Sequence, residues 1–363
     1  MTELQHYSGR KVLITGNTGF KGAWLTTMLL RLGAQVIGVA SFSGREYPSF
    51  KALKLEKEIQ QYKFDIRDSE ALEKLIEREK PEFIFHLASQ PITLMGMEKP
   101  LYTIQTNVLG TANLLEAVRR TSNQCNLIIV TSDKCYQNKE WHWSYRENDR
   151  LFGADPYGAS KSMVENVAHA YYSSYFKSGE QVRICTVRAG NVFGGGDWSE
   201  NRLVPDCIRA WTINDEIEIR SPQATRPWTY VLDVLYGYLT AGINLDQRDT
   251  LNGESYNFGP TALEPVSVNE FVLGLWRLFG SKGTRAPLKV LSSGLISNEN
   301  ELLQLSSEKA NSVLGWKPRY DMEGAMDQTI KWYKQYLHEP AGIKQLTDLQ
   351  ISEYLKIQVG DFG

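Results

Sequence analysis

The 363-residue sequence predicts an α/β protein built on a doubly wound parallel sheet, with a smaller lobe formed by its C-terminal part. Three observations lead there. Short apolar runs alternate with segments of helical period up to about Gly190, three glycines spaced by three follow the first apolar run, and beyond Gly190 the regularity breaks.

The first strand is Lys11-Val12-Leu13-Ile14-Thr15, and Trp24, Leu25, Met28, Leu29 and Leu32 then recur at helical spacing. A second strand covers Ala34 to Ala40, a short polar one Tyr62 to Asp65, and a helix Glu70 to Arg78. An apolar strand from Phe83 to Ala88 precedes a helix from Leu101 to Arg120, and Leu127-Ile128-Ile129-Val130 is apolar throughout. A helix over Tyr157 to Phe176 and a strand over Val182 to Arg188 complete the regular part. Such alternation implies right-handed crossovers and a sheet covered on both faces. The expected organisation is a dinucleotide-binding domain over 1–190, with segments near 226–260 returning to it. A substrate lobe takes most of 191–340, and a polar tail, 341–363, has no assignable role.

Composition narrows the classes of function. Hydrophobic residues at 42%, charged ones at 23% and a formal charge of −2 are ordinary for a globular protein and supply no field for nucleic acid. The N-terminal segment Met1 to Arg10 is polar, and no stretch approaches the roughly 20 apolar residues that cross a bilayer. Cys125, Cys135, Cys185 and Cys207 form no CxxC pair, so the expectation is a cytoplasmic protein with reduced thiols and no metal.

Thr15-Gly16-Asn17-Thr18-Gly19-Phe20-Lys21-Gly22 lies between a strand and a helix. There Gly16 permits a tight turn, Gly19 lets backbone approach a pyrophosphate, and Gly22 lets helix and strand pack closely. The acidic residue that often ends the second strand and holds the ribose is absent, because that strand ends Val39-Ala40-Ser41. Lys21 and Arg45 are cations that suit a 2′-phosphate or a plain surface. Tyr157 and Lys161 stand four residues apart and so share one helix face, where a cation lowers the phenol pKa and equips it to take a hydroxyl proton. Ser132 ends the apolar strand and Asp133-Lys134 follow it. His142, between Trp141 and Trp143, lacks a partner at ligand spacing and reads as a packing residue.

Together, the glycine turn, the Ser after a central strand and Tyr-x-x-x-Lys resemble the extended short-chain dehydrogenase/reductase family, a Rossmann-type scaffold. The resemblance implies that Asp65-Ile66 and Leu87-Ala88-Ser89-Gln90 line the cofactor, that Asn107 organises the active-site helix, and that the cofactor is NAD. Arg188-Ala189-Gly190-Asn191, Asn201-Arg202-Leu203-Val204-Pro205 and Arg226-Pro227-Trp228-Thr229-Tyr230 resemble nucleotide-sugar segments of 4,6-dehydratases and epimerases. They imply substrate contacts from Asn191, Arg202, Leu203 and Tyr230, with Arg226 on the pyrophosphate.

The stretches Gly19 to Leu25, Glu140 to Asp149 and Val192 to Trp198 are similar to the CDP-glucose 4,6-dehydratase branch, over about Gly9 to Tyr336. That branch implies conversion of CDP-D-glucose to CDP-4-keto-6-deoxy-D-glucose and water, with hydride moved from C4 to C6 through NAD, in the making of deoxysugars for lipopolysaccharide O-antigen. Ser132, Asp133, Lys134, Tyr157 and Lys161 are then the catalytic set. Asp133 is the acid for water loss, and Lys134 stands where many relatives carry a glutamate base. As a base it needs a pKa depressed by desolvation or by a neighbouring charge such as Lys161; otherwise it stabilises an enolate as a cation. An epimerase, or a dehydratase of another nucleotide sugar, is the alternative. The family further implies a homodimer or homotetramer pairing through Leu114, Leu115, Val118, Met163, Val164 and Val167.

Overall fold

The sequence folds around a parallel sheet whose strands are buried on both faces. The computed structural model describes residues 3–41, 48–121, 124–219, 221–260, 266–280, 286–290 and 302–356. Its strands are β1 (Lys11–Thr15), β2 (Gln35–Ala40), β3 (Gln60–Lys63), β4 (Phe83–His86), β5 (Cys125–Val130), β6 (Val182–Ala189), β7 (Val192–Phe193), β8 (Ile217–Ile219), β9 (Thr229–Tyr230), β10 (Ser255–Phe258) and β11 (Leu288–Val290). The helices are α1 (Phe20–Arg31), α2 (Pro48–Ala52), α3 (Ser69–Glu79), α4 (Thr93–Glu98), α5 (Pro100–Ile104), α6 (Gly110–Arg120), α7 (Pro156–Tyr171), α8 (Leu203–Thr212), α9 (Val231–Gln247), α10 (Val268–Phe279), α11 (Glu308–Leu314), α12 (Met322–His338) and α13 (Ile343–Leu355).

Seven strands form one sheet in the order β10-β6-β5-β4-β1-β2-β3, all pairs parallel. The strand period of two decides which core each residue joins. Val12, Ile14, Ile128 and Val130 face a large cluster with α1, α9 and the C-terminal helices, while Leu13, Leu127 and Ile129 face a second one under α3, α6 and α7. Strand order reverses between β1 and β4. The crevice beyond their carboxyl ends is where such sheets bind ligands.

The helix expected over 101–120 is interrupted. Gln105–Leu109 is a π-helical turn between α5 and α6, and it carries Asn107 inward, where that side chain bonds to Gln90 and Ser160. The helix expected over 157–176 likewise ends in a π turn at Tyr172–Phe176.

After β6 the chain builds the pairs β7–β9 and β8–β11 with α8, α10, α11 and α12. It also contributes α9, packed on β5 and β6, and β10, paired with β6. Trp24 of α1 donates from Nε1 to the Gly195 carbonyl at 2.8 Å, and Gly195 is pressed so close to Trp332 that a Cβ would lie 2.2 Å from its ring. Beyond Pro340, α13 buries Ile343, Ile351, Tyr354 and Leu355 and packs on α1 and α12.

Two expectations are corrected. Leu114, Leu115, Val118 and Val164 are buried in the protomer's own core, so of the residues named for pairing only Met163 is exposed, with Val167 half-buried. Met97, Leu101 and Leu109, on elements that pack on α7, are also exposed. His142 is exposed, not packed. The four cysteines are buried and free. No helix among the described residues is long and apolar enough to cross a membrane.

Candidate active site

The first half of the site is the turn after β1. Gly16 takes φ +74°, and a Cβ there would meet the Ala88 backbone at 2.8 Å; at Gly22 a Cβ would lie 2.2 Å from the Gly16 carbonyl. Both positions therefore require glycine for the turn itself. Gly19 differs, since a Cβ would approach nothing nearer than 3.4 Å. Its bareness leaves backbone at the start of α1 open, which fits a pyrophosphate on the helix N-terminus. Thr18 is buried and Phe20 packs on the core. Asn17, which sequence reading passed over, is fully buried and donates from Nδ2 to Gln61 at 2.6 Å, over Gly38. The signal that could have found it is Gly38, whose missing side chain leaves room for Asn17.

At the end of β4 and beyond it, Leu87 and Ala88 border the same crevice. Gln90 is buried, its amide donating to Thr103 at 2.8 Å and its backbone holding Asn107 through both groups. Asp65 pairs with Arg67 across 2.8 Å, which holds its carboxyl below the usual range. Ile66 is buried against Gly110. Arg45 lies outside the described residues.

The second half is built from the end of β5 and the start of α7. Asp155 caps α7, accepting from the backbone of Tyr157 at 2.9 Å and Gly158 at 3.0 Å. Ser162 donates to the Cys135 carbonyl at 2.7 Å and so ties α7 to the segment carrying Ser132-Asp133-Lys134. Lys161 is buried and donates to the Val130 carbonyl at 3.2 Å; burial pushes its pKa down to about 8. Tyr157 is buried too. Burial pushes its phenol up to about 12, against the opposing pull of Ser132 and Arg202. This corrects the expectation that Lys161 lowers it: in the chain alone, burial outweighs every cation nearby.

Asp133 is buried. Its Oδ1 accepts from Ser132 at 2.8 Å, while Oδ2 has no hydrogen-bond partner. Burial raises its pKa, and Ser132, Lys134 and Arg226 oppose that. Lys134, next in the chain, is exposed.

Cations gather over this half. Half-buried Lys21 donates to the Tyr238 hydroxyl at 3.3 Å, and its pKa falls to about 7 through burial first, then through Lys161 and Arg202, with Asp133 and Asp197 opposing. Arg202 stands 3.5 Å from Asp197, and Leu203 is half-buried beside it. Arg226 donates to the Thr225 carbonyl at 2.8 Å. Asn191 accepts from the Thr229 backbone at 3.1 Å through its carbonyl. Tyr230 does not join this group, being buried in the core against Phe193 and Tyr320. Sequence reading also missed the buried pair of Glu165 on α7 and Arg188 on β6, 2.7 Å apart. No group of three or more His, Cys, Asp or Glu among the described residues is arranged to hold a metal.

This arrangement can bind a dinucleotide along the crevice, move a hydroxyl proton at Tyr157 and deliver a carboxyl proton from Asp133. The chain is similar to proteins of matching chemistry. A family model for GDP-mannose 4,6 dehydratase matches residues 13–329. The CDP-glucose 4,6-dehydratase of Salmonella typhimurium is 38% identical over 346 residues, covering 93% of this chain and 94% of the relative. UDP-glucuronate 4-epimerase 3 of Arabidopsis thaliana is 28% identical, over 90% of this chain and 77% of its own. Among solved structures, a dTDP-glucose 4,6-dehydratase of Streptomyces venezuelae with NAD bound superposes with a TM-score of 0.78 at 20% identity, covering 91% of this chain and all but 1% of that one, at 99%.

Lys21 yields a prediction with a definite sign. With its folded pKa near about 7 against 10.5 in the ordinary state, the folded chain binds fewer protons than the unfolded one between those values. Its burial therefore costs stability below pH 7, and the cost fades as pH rises toward 10.5. Lys21→Met should raise the melting temperature most in acid and least in alkali, as read by thermal denaturation across pH.

Proposed function

The chain belongs to the GDP-mannose 4,6 dehydratase family, and from that membership we propose that it is a nucleotide-sugar 4,6-dehydratase acting on CDP-D-glucose. The product is CDP-4-keto-6-deoxy-D-glucose and water, an entry to deoxysugars of cell-surface polysaccharides made in the cytoplasm. The nucleotide is taken from the Salmonella relative. The observation that carries the reaction type is Asp133, a buried carboxyl that burial biases toward its protonated form, with one oxygen left for a ligand.

NAD fits the glycine turn, where Gly16, Thr18, Gly19, Phe20, Lys21 and Gly22 would hold its phosphates. Leu87, Ala88 and Asp65-Ile66 would hold the rest, with Gln90 and Asn107 keeping the crevice wall in place. When bound, it supplies an acceptor for the C4 hydrogen that gives the same hydrogen back at C6.

The chain's own residues handle the protons. Tyr157, hydrogen-bonded to Ser132, takes the proton of the C4 hydroxyl; Ser132 and Arg202 favour the resulting phenolate against the effect of burial, with buried Lys161 one turn further along the helix. The ketone formed at C4 makes the C5 hydrogen acidic. Asp133 gives its proton to the C6 hydroxyl, which leaves as water. The C5 proton passes to a base, either Lys134 acting as a neutral amine or a water held beside its cation, and it returns to C5 when the hydrogen is given back at C6. Arg226, Arg202, Asn191 and Leu203 bind the nucleotide diphosphate side, the guanidiniums through paired donors. An epimerase needs Tyr157 and Lys161 but no acid for water loss, so Asp133 favours the dehydratase.

We also propose a homodimer formed by α7 and the helices before it, through outward Leu101, Leu109 and Met163, in place of the inward residues of α6. Light scattering at micromolar concentration should give at least twice the mass of one chain. Leu109→Arg with Met163→Arg should return it to one.

Incubation with CDP-, dTDP- and UDP-glucose and GDP-mannose should give a 4-keto product with CDP-glucose. Substrate deuterated at C4 should carry the label to C6 without net NADH. Label lost to solvent, or no product from any of the four, overturns the proposal. Lys134→Ala should still oxidise C4 but stall before water loss, accumulating reduced cofactor in a stopped-flow absorbance trace. Unchanged turnover would remove Lys134 from the mechanism.

A further inference from the structure

His86, the last residue of β4, is buried and belongs to none of the groups assigned above. Its Nδ1 lies 2.7 Å from the Thr15 hydroxyl and its Nε2 lies 2.9 Å from the Thr111 hydroxyl. The direction of each bond follows from its neighbours. Thr111 donates its proton to the Asn107 carbonyl at 2.6 Å, so its oxygen accepts from His86, and Nε2 carries the hydrogen. Nδ1 is then bare and accepts from Thr15, whose oxygen in turn accepts from the Ala88 backbone at 3.2 Å. A second ring proton would leave the Thr15 hydroxyl hydrogen without this acceptor. Burial first, then the charge of Lys161, pushes the His86 pKa down to about 3, in agreement with the geometry.

The chain of bonds continues. Asn107 donates to the Ser160 hydroxyl at 2.8 Å, and Ser160 donates to the Tyr157 carbonyl at 2.7 Å. One end of this path is the residue before Gly16 together with Ala88, both on the dinucleotide crevice; the other is the backbone of Tyr157. We propose that His86, locked in its Nε2–H tautomer, is a positioning residue that sets the register of the tyrosine helix against the dinucleotide turn. The proposal rests on the reading of Tyr157 as the base of C4 oxidation. Its reach comes from the steepness of catalysis with geometry, since a misplacement of about 1 Å costs on the order of 100-fold in rate.

The tests separate positioning from mere packing. In the wild-type holoenzyme, nitrogen-resolved NMR should find one His86 tautomer, protonated on Nε2, unchanged from about pH 5 to pH 9. An imidazolium forming near pH 6, or a mixture of tautomers, overturns the proposal. His86→Phe should bind NAD about tenfold more weakly by fluorescence titration and oxidise C4 roughly 100-fold more slowly, with KM for the sugar little changed. To remove the hydroxyls left unpaired, Thr15→Val and Thr111→Val are combined with His86→Phe; this triple variant should recover the melting temperature but neither NAD affinity nor kcat. Recovery of all three would make His86 a packing residue and overturn the proposal. The NMR and NAD measurements need no sugar, so they stand if the substrate assignment fails.

Discussion

Glu165 and Arg188 meet inside the protein, between α7 and the sheet, with only 2–3% of either side chain exposed. Two charges taken from water are tolerated there because their hydrogen-bonding capacity is well filled. The carboxylate also accepts from Thr131 and, at 2.7 Å, from Thr186. The guanidinium reaches both carboxylate oxygens, the Tyr136 hydroxyl and the Glu147 carbonyl. Glu165 lies one turn beyond Lys161 on the same helix face, Thr131 directly precedes Ser132, and Tyr136 follows Lys134 by two residues. The helix carrying Tyr157 and Lys161 and the segment carrying Ser132-Asp133-Lys134 thus share one buried anchor.

Above that anchor the local field is positive although the whole chain is slightly acidic. Lys161 and Arg202 act on Lys21, Arg226 acts on Asp133 and Arg202 on Tyr157, and the opposing carboxylates near Lys21 are Asp133 and Asp197. Burial first, then the charges of Lys161 and Arg202, push Lys21 toward its neutral form. A bound diphosphate would relieve that repulsion.

The legible parts of the molecule were those encoded over short separations. Gly16, Gly19 and Gly22 read correctly as a turn because strand, turn and helix are contiguous, and Tyr157 and Lys161 share a helix face by spacing alone. Residues joined only by folding were not legible: the Glu165–Arg188 pair, Asn17 with Gln61, and Lys21 beside Lys161 and Arg202. Helical periodicity identified Leu114, Leu115 and Val118 as an apolar face, but the pattern is the same whether that face meets the sheet or another copy, and here it meets the sheet. Tyr230 was misjudged for a related reason, since an aromatic ring in a ligand-like motif is equally suited to the core. The sign of the Tyr157 shift depends on depth of burial, which residue order does not encode.

The late return of the chain to its sheet bears on how the protein is made. β6 is complete at Ala189, yet its outer neighbour β10 spans Ser255–Phe258. Translation at about 5–20 residues per second puts several seconds between the two. During that interval β6 is an exposed edge, rich in Val, Ile and Thr, with its hydrogen-bonding groups open to any strand that approaches. Glu165 and Arg188 are already synthesised by then, but Asn257, which receives the Tyr136 hydroxyl at 2.8 Å, is not. The nascent chain thus passes through a stage with an open edge beside α7.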